Sequence, residues 1–431
     1  MDGEIRIASI PYRAMLPLPF VREHADEVRE NLRKRNVVAP LDEILELDRR
    51  ARELRVESEA LRAERNRASR AGKPDEATRT RLRAVGERVA AIEKELKVID
   101  EELTEKLLYL PNMSDPSAPV GPDESHDVVG RSWGEPRTFS FTPRPHWEVG
   151  ERLGILDIPR GVKLSGSRFY VLKGAGAALQ RALITWMIDL KVRDHGFIEL
   201  YPPFMARPEM LVGTGSLPKS RDVVYKLENE ELFLIPTAEP QLLGYYRDEI
   251  LDATQLPLRV VGYTACFRNE KMSAGRDVRG IKRGFQFDKV EMFVFCKPEE
   301  SAAELDLLVR LAAEVLEKLE LPYRLKELCT GDMAFQAAKA IDLEVWSPGV
   351  EEWLEVSTCS NCTEFQSHRG NVRMRRSRDK HAEPLHTLNG SGLALPRLLI
   401  AVLENYQRED GSVEVPRALR PYLHGLEAIV A

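Results

Sequence analysis

From Ile44 onward, apolar or small residues recur in alternating steps of three and four: Ile44, Leu47, Ala51, Leu54, Ser58, Leu61 and Ala68, with Arg65 filling one slot. This spacing is a heptad seam and predicts a long helix with a single apolar stripe. A second run, Leu82, Val85, Val89, Ile92, Leu96, Ile99, Leu103, Leu107 and Leu110, keeps nearly the same period. Gly72 and Pro74 punctuate the gap, so the two helices must fold back antiparallel, over about residues 41–110. At ~1.5 Å per residue, roughly thirty residues each way makes an arm of about 45 Å, too long and thin to lie within a globular core.

The pattern changes beyond Leu110-Pro111-Asn112, where a stretch rich in Pro, Asp and Ser, from Ser114 to Glu124, reads as a linker. Strand-like runs follow at Phe169 to Leu172, Phe197 to Tyr201, Leu258 to Phe267, Val290 to Phe295 and Glu352 to Ser357. Helical runs at Ala177 to Val192, Ser301 to Leu319 and Leu393 to Tyr406 interrupt them irregularly. The strands after Leu258 are separated by hairpin-sized gaps, which favours an α+β domain on a mainly antiparallel sheet over a doubly wound one. Two domains are therefore expected, an N-terminal one over 1–118 that carries the helical hairpin and a larger one over 119–431.

Composition narrows the function classes. A chain of 431 residues with 43% hydrophobic residues can bury two cores. Its net charge of -6 excludes a uniformly basic nucleic-acid binder. Between Arg62 and Arg83, however, eight basic residues stand against three acidic ones, so the distal end of the arm is basic. Arginines on a rigid projecting element can bind phosphates and release counter-ions, reading shape more than base sequence. A structural or dimerising coiled coil and a merely solvated face are the alternatives. Five cysteines, an odd number, suit a reducing cytoplasm better than a secreted disulfide scaffold. No apolar stretch approaches ~18 residues, so no membrane association is expected. The residues before Met15 show no clear period and carry no functional expectation.

Candidate chemistry lies in three places. Phe267-Arg268-Asn269-Glu270 closes a strand-like run beside a basic loop with Arg276, Arg279, Lys282 and Arg283, which suits a polyphosphate because the guanidinium fork pairs with phosphate oxygens. Glu355 then opens the dense polar run Val356-Ser357-Thr358-Cys359-Ser360-Asn361-Cys362. The two cysteines make half of a structural zinc site, but Cys266, Cys296 and Cys329 are dispersed and His368 stands alone, so no zinc is expected. Last, Thr387-Leu388-Asn389-Gly390-Ser391-Gly392-Leu393 is expected to open a helix with Arg397 in its first turns, glycines admitting a ligand to the backbone near a cation.

In this order the three elements resemble the signature motifs of class II aminoacyl-tRNA synthetases, and the detail resembles the bacterial seryl-tRNA synthetases. His195-Gly196-Phe197 leading to Pro202-Pro203 looks like motif one, Phe267-Arg268-Asn269-Glu270 like motif two, and Gly390-Ser391-Gly392-Leu393-Ala394 with Arg397 like motif three. Seryl-type blocks stand between them: Gly213-Thr214-Gly215, Pro236-Thr237-Ala238-Glu239, Gln286-Phe287-Asp288-Lys289-Val290-Glu291, Thr330-Gly331-Asp332-Met333 and Asp342-Leu343-Glu344-Val345-Trp346. The likeness spans nearly everything after Met15, arm included.

The resemblance implies a serine–tRNA ligase that forms seryl-adenylate from serine and ATP and passes the seryl group to the terminal ribose hydroxyl of tRNA(Ser), with tRNA(Sec) as a further candidate acceptor. Thr237, Ala238, Glu239, Glu291 and Ser391 would bind serine. Arg268, Asn269, Glu270, Gly284, Glu355, Val356, Ser357, Thr358 and Arg397 would bind ATP, with Arg268, Glu355 and Arg397 acting in catalysis and Glu355 holding Mg2+. Arg62, Arg65, Arg67, Arg70, Lys73, Arg79 and Arg81 would grip tRNA, and motif one would build a homodimer. Four features depart from the family pattern: Pro396 replaces a glycine, Phe285 a histidine and Thr358 a serine, and Pro240-Gln241 follow the Thr-x-Glu block. An amino-acid-activating paralogue that loads a carrier would be expected to lack the arm, and a non-catalytic RNA-binding derivative to lack the charged site residues.

Overall fold

The computed structural model describes residues 16–70, 75–270, 279–378 and 380–431. Contacts divide the chain into two compact units, the first reaching Pro111 and the second made of Lys34–Asn36 and everything from Asn112. The break falls ahead of the polar stretch expected as linker, because that stretch has partners in the larger unit. The Asn112 amide donates to the carbonyls of Gln336 and Cys362, at 2.9 Å each. Ala118 is buried among Leu328, Met333, Ala337 and Ala340. Among the described residues no helix is long and apolar enough to cross a membrane.

The first unit contains α1 (Leu18–Glu23), α2 (Ala25–Lys34), α3 (Leu41–Arg70) and α4 (Glu76–Leu107). The last two are the expected hairpin. Asp75 starts α4 by accepting a bond from the Thr78 N–H at 2.8 Å, satisfying one of the helix's orphan donors. The buried seam runs through Ile44, Ala51, Leu54 and Ser58 on α3 and Val85, Val89, Ile92, Ile99, Leu103 and Leu107 on α4. It departs from the expected seam on α4, where Leu82 and Leu96 are only half-buried, and on α3, where Asp48 is buried and Leu47 only half-buried. Asp48 is tolerated there by charge compensation: Arg22 of α1 and Arg52 both meet its carboxylate, at 3.3 and 3.0 Å. Beyond Ser58 the seam is no longer sealed, since Leu61 and Ala68 are half-exposed. Ion pairs flank it along the length, including Arg50–Glu95 at 2.8 Å, Arg55–Asp100 at 2.7 Å and Arg88–Glu57 at 2.7 Å. Each is exposed to solvent, which screens it, so these pairs set register more than stability.

The second unit is built on an eight-stranded sheet. Its strands are β1 (Val128–Trp133), β2 (Ile198–Glu199), β3 (Leu258–Phe267), β4 (Gln286–Cys296), β5 (Tyr323–Glu327), β6 (Lys339–Ser347), β7 (Glu352–Thr363) and β8 (His386–Ala394). Their order is β1-β5-β6-β7-β8-β4-β3-β2, antiparallel throughout except for the edge pair β2 and β3. Helices α5 (His146–Arg152), α6 (Ala175–Asp189), α7 (Ser301–Lys318) and α8 (Leu395–Asn405) belong to the same unit.

Period-two alternation sorts the side chains of β4. Val290, Met292, Val294 and Cys296 join the large apolar cluster with α6, α7 and α8, whereas Phe293 and Phe295 join a second cluster with Leu242, Leu251 and Val260. Glu291 and Lys289 share the second face and open onto a cavity.

One expectation fails here. The run from Thr387 does not open a helix; it is β8, bonded on both sides, to β4 and β7, and the helix begins only at Leu395. The glycines serve strand packing. A Cβ on Gly390 would come 2.9 Å from the Cys359 sulfur, so glycine lets β8 lie flush over that side chain. Gly392 is a bulge residue, since pairing with β4 steps from Val290↔Leu393 to Glu291↔Ser391, and this places Ser391 opposite Glu291.

If the arm is held by the sealed part of its seam, fully buried Ile92 and half-exposed Leu61 should differ in weight. Ile92→Ala should destabilise the hairpin by about 2–5 kcal/mol and Leu61→Ala by well under half of that, read from helix unfolding at 222 nm.

Candidate active site

A cavity of about 320 Å³ opens on the sheet face that carries Glu291. Its floor is acidic. Glu239 begins the short helix Glu239–Gly244 and is buried, with one carboxylate oxygen accepting from the Asn389 amide at 2.6 Å and from the Gln366 amide. Thr387 orients that glutamine by donating to its carbonyl oxygen at 2.8 Å. Glu291, equally buried, accepts from the Thr237 hydroxyl at 3.2 Å and pairs with Lys289. Burial first, and the neighbouring Glu291 charge second, push the Glu239 carboxyl up to about 7. Among the described residues, two carboxylates thus share a single lysine on the floor, an arrangement one positive charge short.

The opposite wall is cationic. Arg268, just past the end of β3, lies over the Phe287 ring at 5.1 Å and donates to the Pro236 carbonyl at 3.1 Å. Arg397, in the first turn of α8, donates to the Glu355 carbonyl at 2.6 Å and meets its carboxylate at 3.2 Å. Arg283 lies 3.5 Å from Glu270, and Lys282 pairs with Glu352. A third wall comes from the segment around Ala334 and Gln336, held from behind by Arg35. That buried guanidinium donates to the carbonyls of Ala334 and Ala337 at 2.7 Å and of Met333 at 3.2 Å, and burial lowers it to about 10.

Of the residues expected in the site, Thr237, Glu239, Glu291, Ser391, Arg268, Glu270, Gly284, Glu355, Val356, Thr358 and Arg397 all line this cavity. Three lie beside it. The Ala238 side chain is buried in the apolar cluster with Leu242 and Leu243. Asn269 lines the adjoining pocket rather than the cavity. Ser357 is buried and donates to the Ser391 carbonyl at 2.7 Å, tying β7 to β8. Lys289, Asn389 and Gln366 were missed as functional residues. Strand alternation was the available signal for the first, since Lys289 is two residues from Glu291 and shares its face. Asn389 likewise shares a face with Ser391, but only after Thr387–Ala394 is recognised as a strand.

The departures from the family pattern keep the site's chemistry. Pro240 and Pro396 both occupy the first turn of a helix, where a missing N–H costs nothing and the fixed φ is favourable. Gln241 donates to the carbonyls of Pro203 and Met205, at 2.7 and 3.1 Å. Phe285 packs against Phe169 beneath the Arg168 guanidinium, 5.3 Å from the ring centre. Thr358 retains a hydroxyl on the cavity wall.

On the arm, Arg62 pairs with Glu93 at 2.5 Å and Arg81 with Glu64 at 2.7 Å. Arg65, Arg67 and Arg79 are exposed, as is Arg70 at the end of α3. Lys73 lies outside the described residues.

Comparison with known proteins gives the same picture. The family model for the seryl-tRNA synthetase N-terminal domain matches residues 15–114, and that for the tRNA synthetase class II core domain (G, H, P, S and T) matches 224–406. The serine–tRNA ligase of Thermomicrobium roseum is 56% identical over 421 residues, covering 96% of this chain and 95% of the relative. That of Dehalococcoides mccartyi is 54% identical over 415 residues, covering 96% of this chain and all of its own. Among solved structures, the seryl-tRNA synthetase of Pyrococcus horikoshii complexed with ATP aligns with a TM-score of 0.92 at 38% identity, covering 96% of this chain and 99% of its own. The cytoplasmic serine–tRNA ligase of Naegleria fowleri in complex with AMP aligns at 0.88 and 28%, covering 96% and 98%. A chain that shares more than half its residues with a serine–tRNA ligase over nearly its whole length belongs to the seryl-tRNA synthetase family.

Proposed function

We propose that this chain activates serine with ATP in the cavity on the sheet face and transfers it to tRNA held by the helical arm. The observation that carries the site assignment is the charge deficit of the floor, where Glu239 and Glu291 face one lysine. The serine ammonium supplies the missing charge, and the polar groups around Thr237 and Ser391 receive its hydroxyl. Alanine would leave those groups unpaired, which is the physical basis for rejecting it.

The serine carboxylate attacks the α-phosphate in line, so no protein nucleophile is required. Arg268 neutralises charge at the α-phosphate, Arg397 meets the distal phosphates and Glu270 approaches the adenine. Alignment and charge stabilisation carry the rate. Glu355 and Thr358 offer a carboxylate and a hydroxyl on one strand, hard oxygen donors that leave room for water and phosphate oxygens, and this donor set fits Mg2+. Behind them the buried Asp342 carboxylate has one oxygen without a hydrogen-bond partner, and burial and the neighbouring Glu355 push the group well above its usual range. When bound there, magnesium would neutralise phosphate charge.

The exposed arginines of the arm act as phosphate anchors for tRNA(Ser), and a reading of shape rather than bases extends the same grip to tRNA(Sec). A homodimer through motif one is supported by the edge of the sheet, where Ile198 of β2 and Tyr201 just beyond it are exposed.

Three outcomes are expected. Arg268→Ala should lower serine-dependent pyrophosphate exchange by at least ~100-fold in a folded protein, the scale for removing one transition-state charge donor; near-normal exchange would remove Arg268 from the site. Because the Glu239 carboxyl sits at about 7 in the free enzyme, it loses its charge as pH falls through that value. The kcat/KM for serine should therefore decline below about pH 7, and Glu239→Gln should abolish this acid limb. Replacing Ala63 through Arg81 by a short Gly-containing turn should leave pyrophosphate exchange within about threefold of wild type, since no ATP or serine contact is removed. Charging of tRNA should fall sharply through a raised KM, and Arg65→Ala with Arg67→Ala should make tRNA affinity less salt-dependent.

A further inference from the structure

We infer that His146 is a positioning residue that sets the cationic wall of the ATP site through a single acceptor nitrogen. This deepens the proposed reading of the cavity and rests on it. His146 opens α5 and is buried, with 2 % of its surface exposed. On one side it meets Glu404, a fully buried residue on α8. The His146 backbone N–H donates to Glu404 Oε1 at 2.8 Å, and the imidazole Nδ1 lies 2.9 Å from the same oxygen. The other carboxylate oxygen accepts from the Ser347 hydroxyl and from the Gly349 N–H at 2.8 Å.

A carboxylate surrounded by donors takes the proton of Nδ1 as one more of them, which leaves Nε2 as a bare acceptor. The Ile281 N–H donates into that lone pair at 3.2 Å. The approach is close enough to dictate the neighbouring residue as well. Gly280 has φ +70, and a Cβ there would come 1.9 Å from Nε2, so the backbone lies directly on the ring. Ile281 itself is buried in the main core.

The three residues after Ile281 give the contact its function. Lys282, Arg283 and Gly284 all line the cavity, with Arg283 facing Glu270 and Lys282 facing Glu352. Glu404 stands two turns along α8 from Arg397, the cation of the other strand end. By way of one imidazole, therefore, the basic segment after β3 and the motif-three arginine are referenced to the same helix. Adenylate formation does not use His146 directly, and no substrate atom need touch it.

The two nitrogens can be separated in the full-length protein. His146→Asn keeps an amide donor near the Nδ1 position and so the bond to Glu404, but has no acceptor at Nε2. His146→Gln places its carbonyl oxygen near Nε2 and can accept from Ile281 while losing the Nδ1 donor. In pyrophosphate exchange with ATP varied, His146→Asn should raise KM for ATP by about tenfold or more, the loss expected for one buried N–H left unpaired, with KM for serine within about twofold. His146→Gln should recover most of the ATP affinity. Peptide-level hydrogen exchange over residues 279–284 should be faster in the Asn variant and near wild type in the Gln variant, independently of activity. Gly280→Ala, which keeps every side chain of the Glu404 cluster but forces the Gly280–Ile281 backbone and the imidazole apart, should raise KM for ATP in the same direction and guards against a histidine variant that does not fold. Wild-type ATP affinity in His146→Asn, or equal losses in the Asn and Gln variants for both substrates, overturns the inference. If Arg268→Ala is itself harmless, the cavity reading fails first; if Arg268→Ala is crippled while His146→Asn is normal, only the role of His146 is lost.

Discussion

Two carboxylates buried beside one ammonium are the constraint around which the catalytic unit is arranged. A lone buried carboxylate would simply take up a proton, and the Glu239 carboxyl is already displaced toward doing so. The floor stays chargeable through the set of donors that the sheet brings to it: Asn389 from β8, Gln366 from the helix Phe365–Gly370 and Lys289 from β4. The two strand residues, Asn389 and Lys289, are placed by register. The bulge at Gly392 sets Ser391 against Glu291, and alternation along β4 sends Lys289 and Glu291 to the cavity while their neighbours fill the core. A one-residue slip of either strand would bury the apolar set in the cavity and the charges in the core. Core packing and site chemistry therefore enforce the same alignment.

Much of this was legible in the sequence, for identifiable reasons. The hairpin announced itself because its seam repeats over many turns, and β3 could be bounded correctly, Leu258 to Phe267, because its β-branched and aromatic run ends at a charged segment. The chemistry-bearing residues were recognisable as blocks, and most of them do meet in one cavity. The errors arose where a local signal competed with a distant one. Glycines and an asparagine suggested a loop opening a helix at Thr387–Leu393, whereas strands on both sides impose extended structure there and the glycines accommodate Cys359 and the bulge. At Leu47 the buried position passes to Asp48, which is tolerated there because Arg22, on another helix, compensates the charge. Neither Arg22 nor Cys359 is near in sequence to the residue it decides.

The positions that depart from the family pattern teach the same lesson about context. Proline is disruptive within a helix and harmless in its first turn, and both Pro240 and Pro396 sit in the first turn. Their cost is thus read from the cap geometry and not from residue type. The site tolerates such exchanges in its backbone scaffolding because the groups that touch charge, Arg268, Glu355 and Arg397, are held by side-chain and carbonyl contacts of their own.

The graded seal of the hairpin has a mechanical consequence. Near its root, leucines and isoleucines interlock out of contact with water, and the pair of helices should respond to load as a single beam. Past Ser58 the interior side chains are partly wetted, and charged cross-braces such as Arg62 with Glu93 and Arg81 with Glu64 take over. Braces of that kind exchange partners at little cost, whereas an interlocked core resists shear. The result is a hairpin whose compliance rises from the start of α3 toward Arg70, stiff along the interlocked length and yielding beyond it.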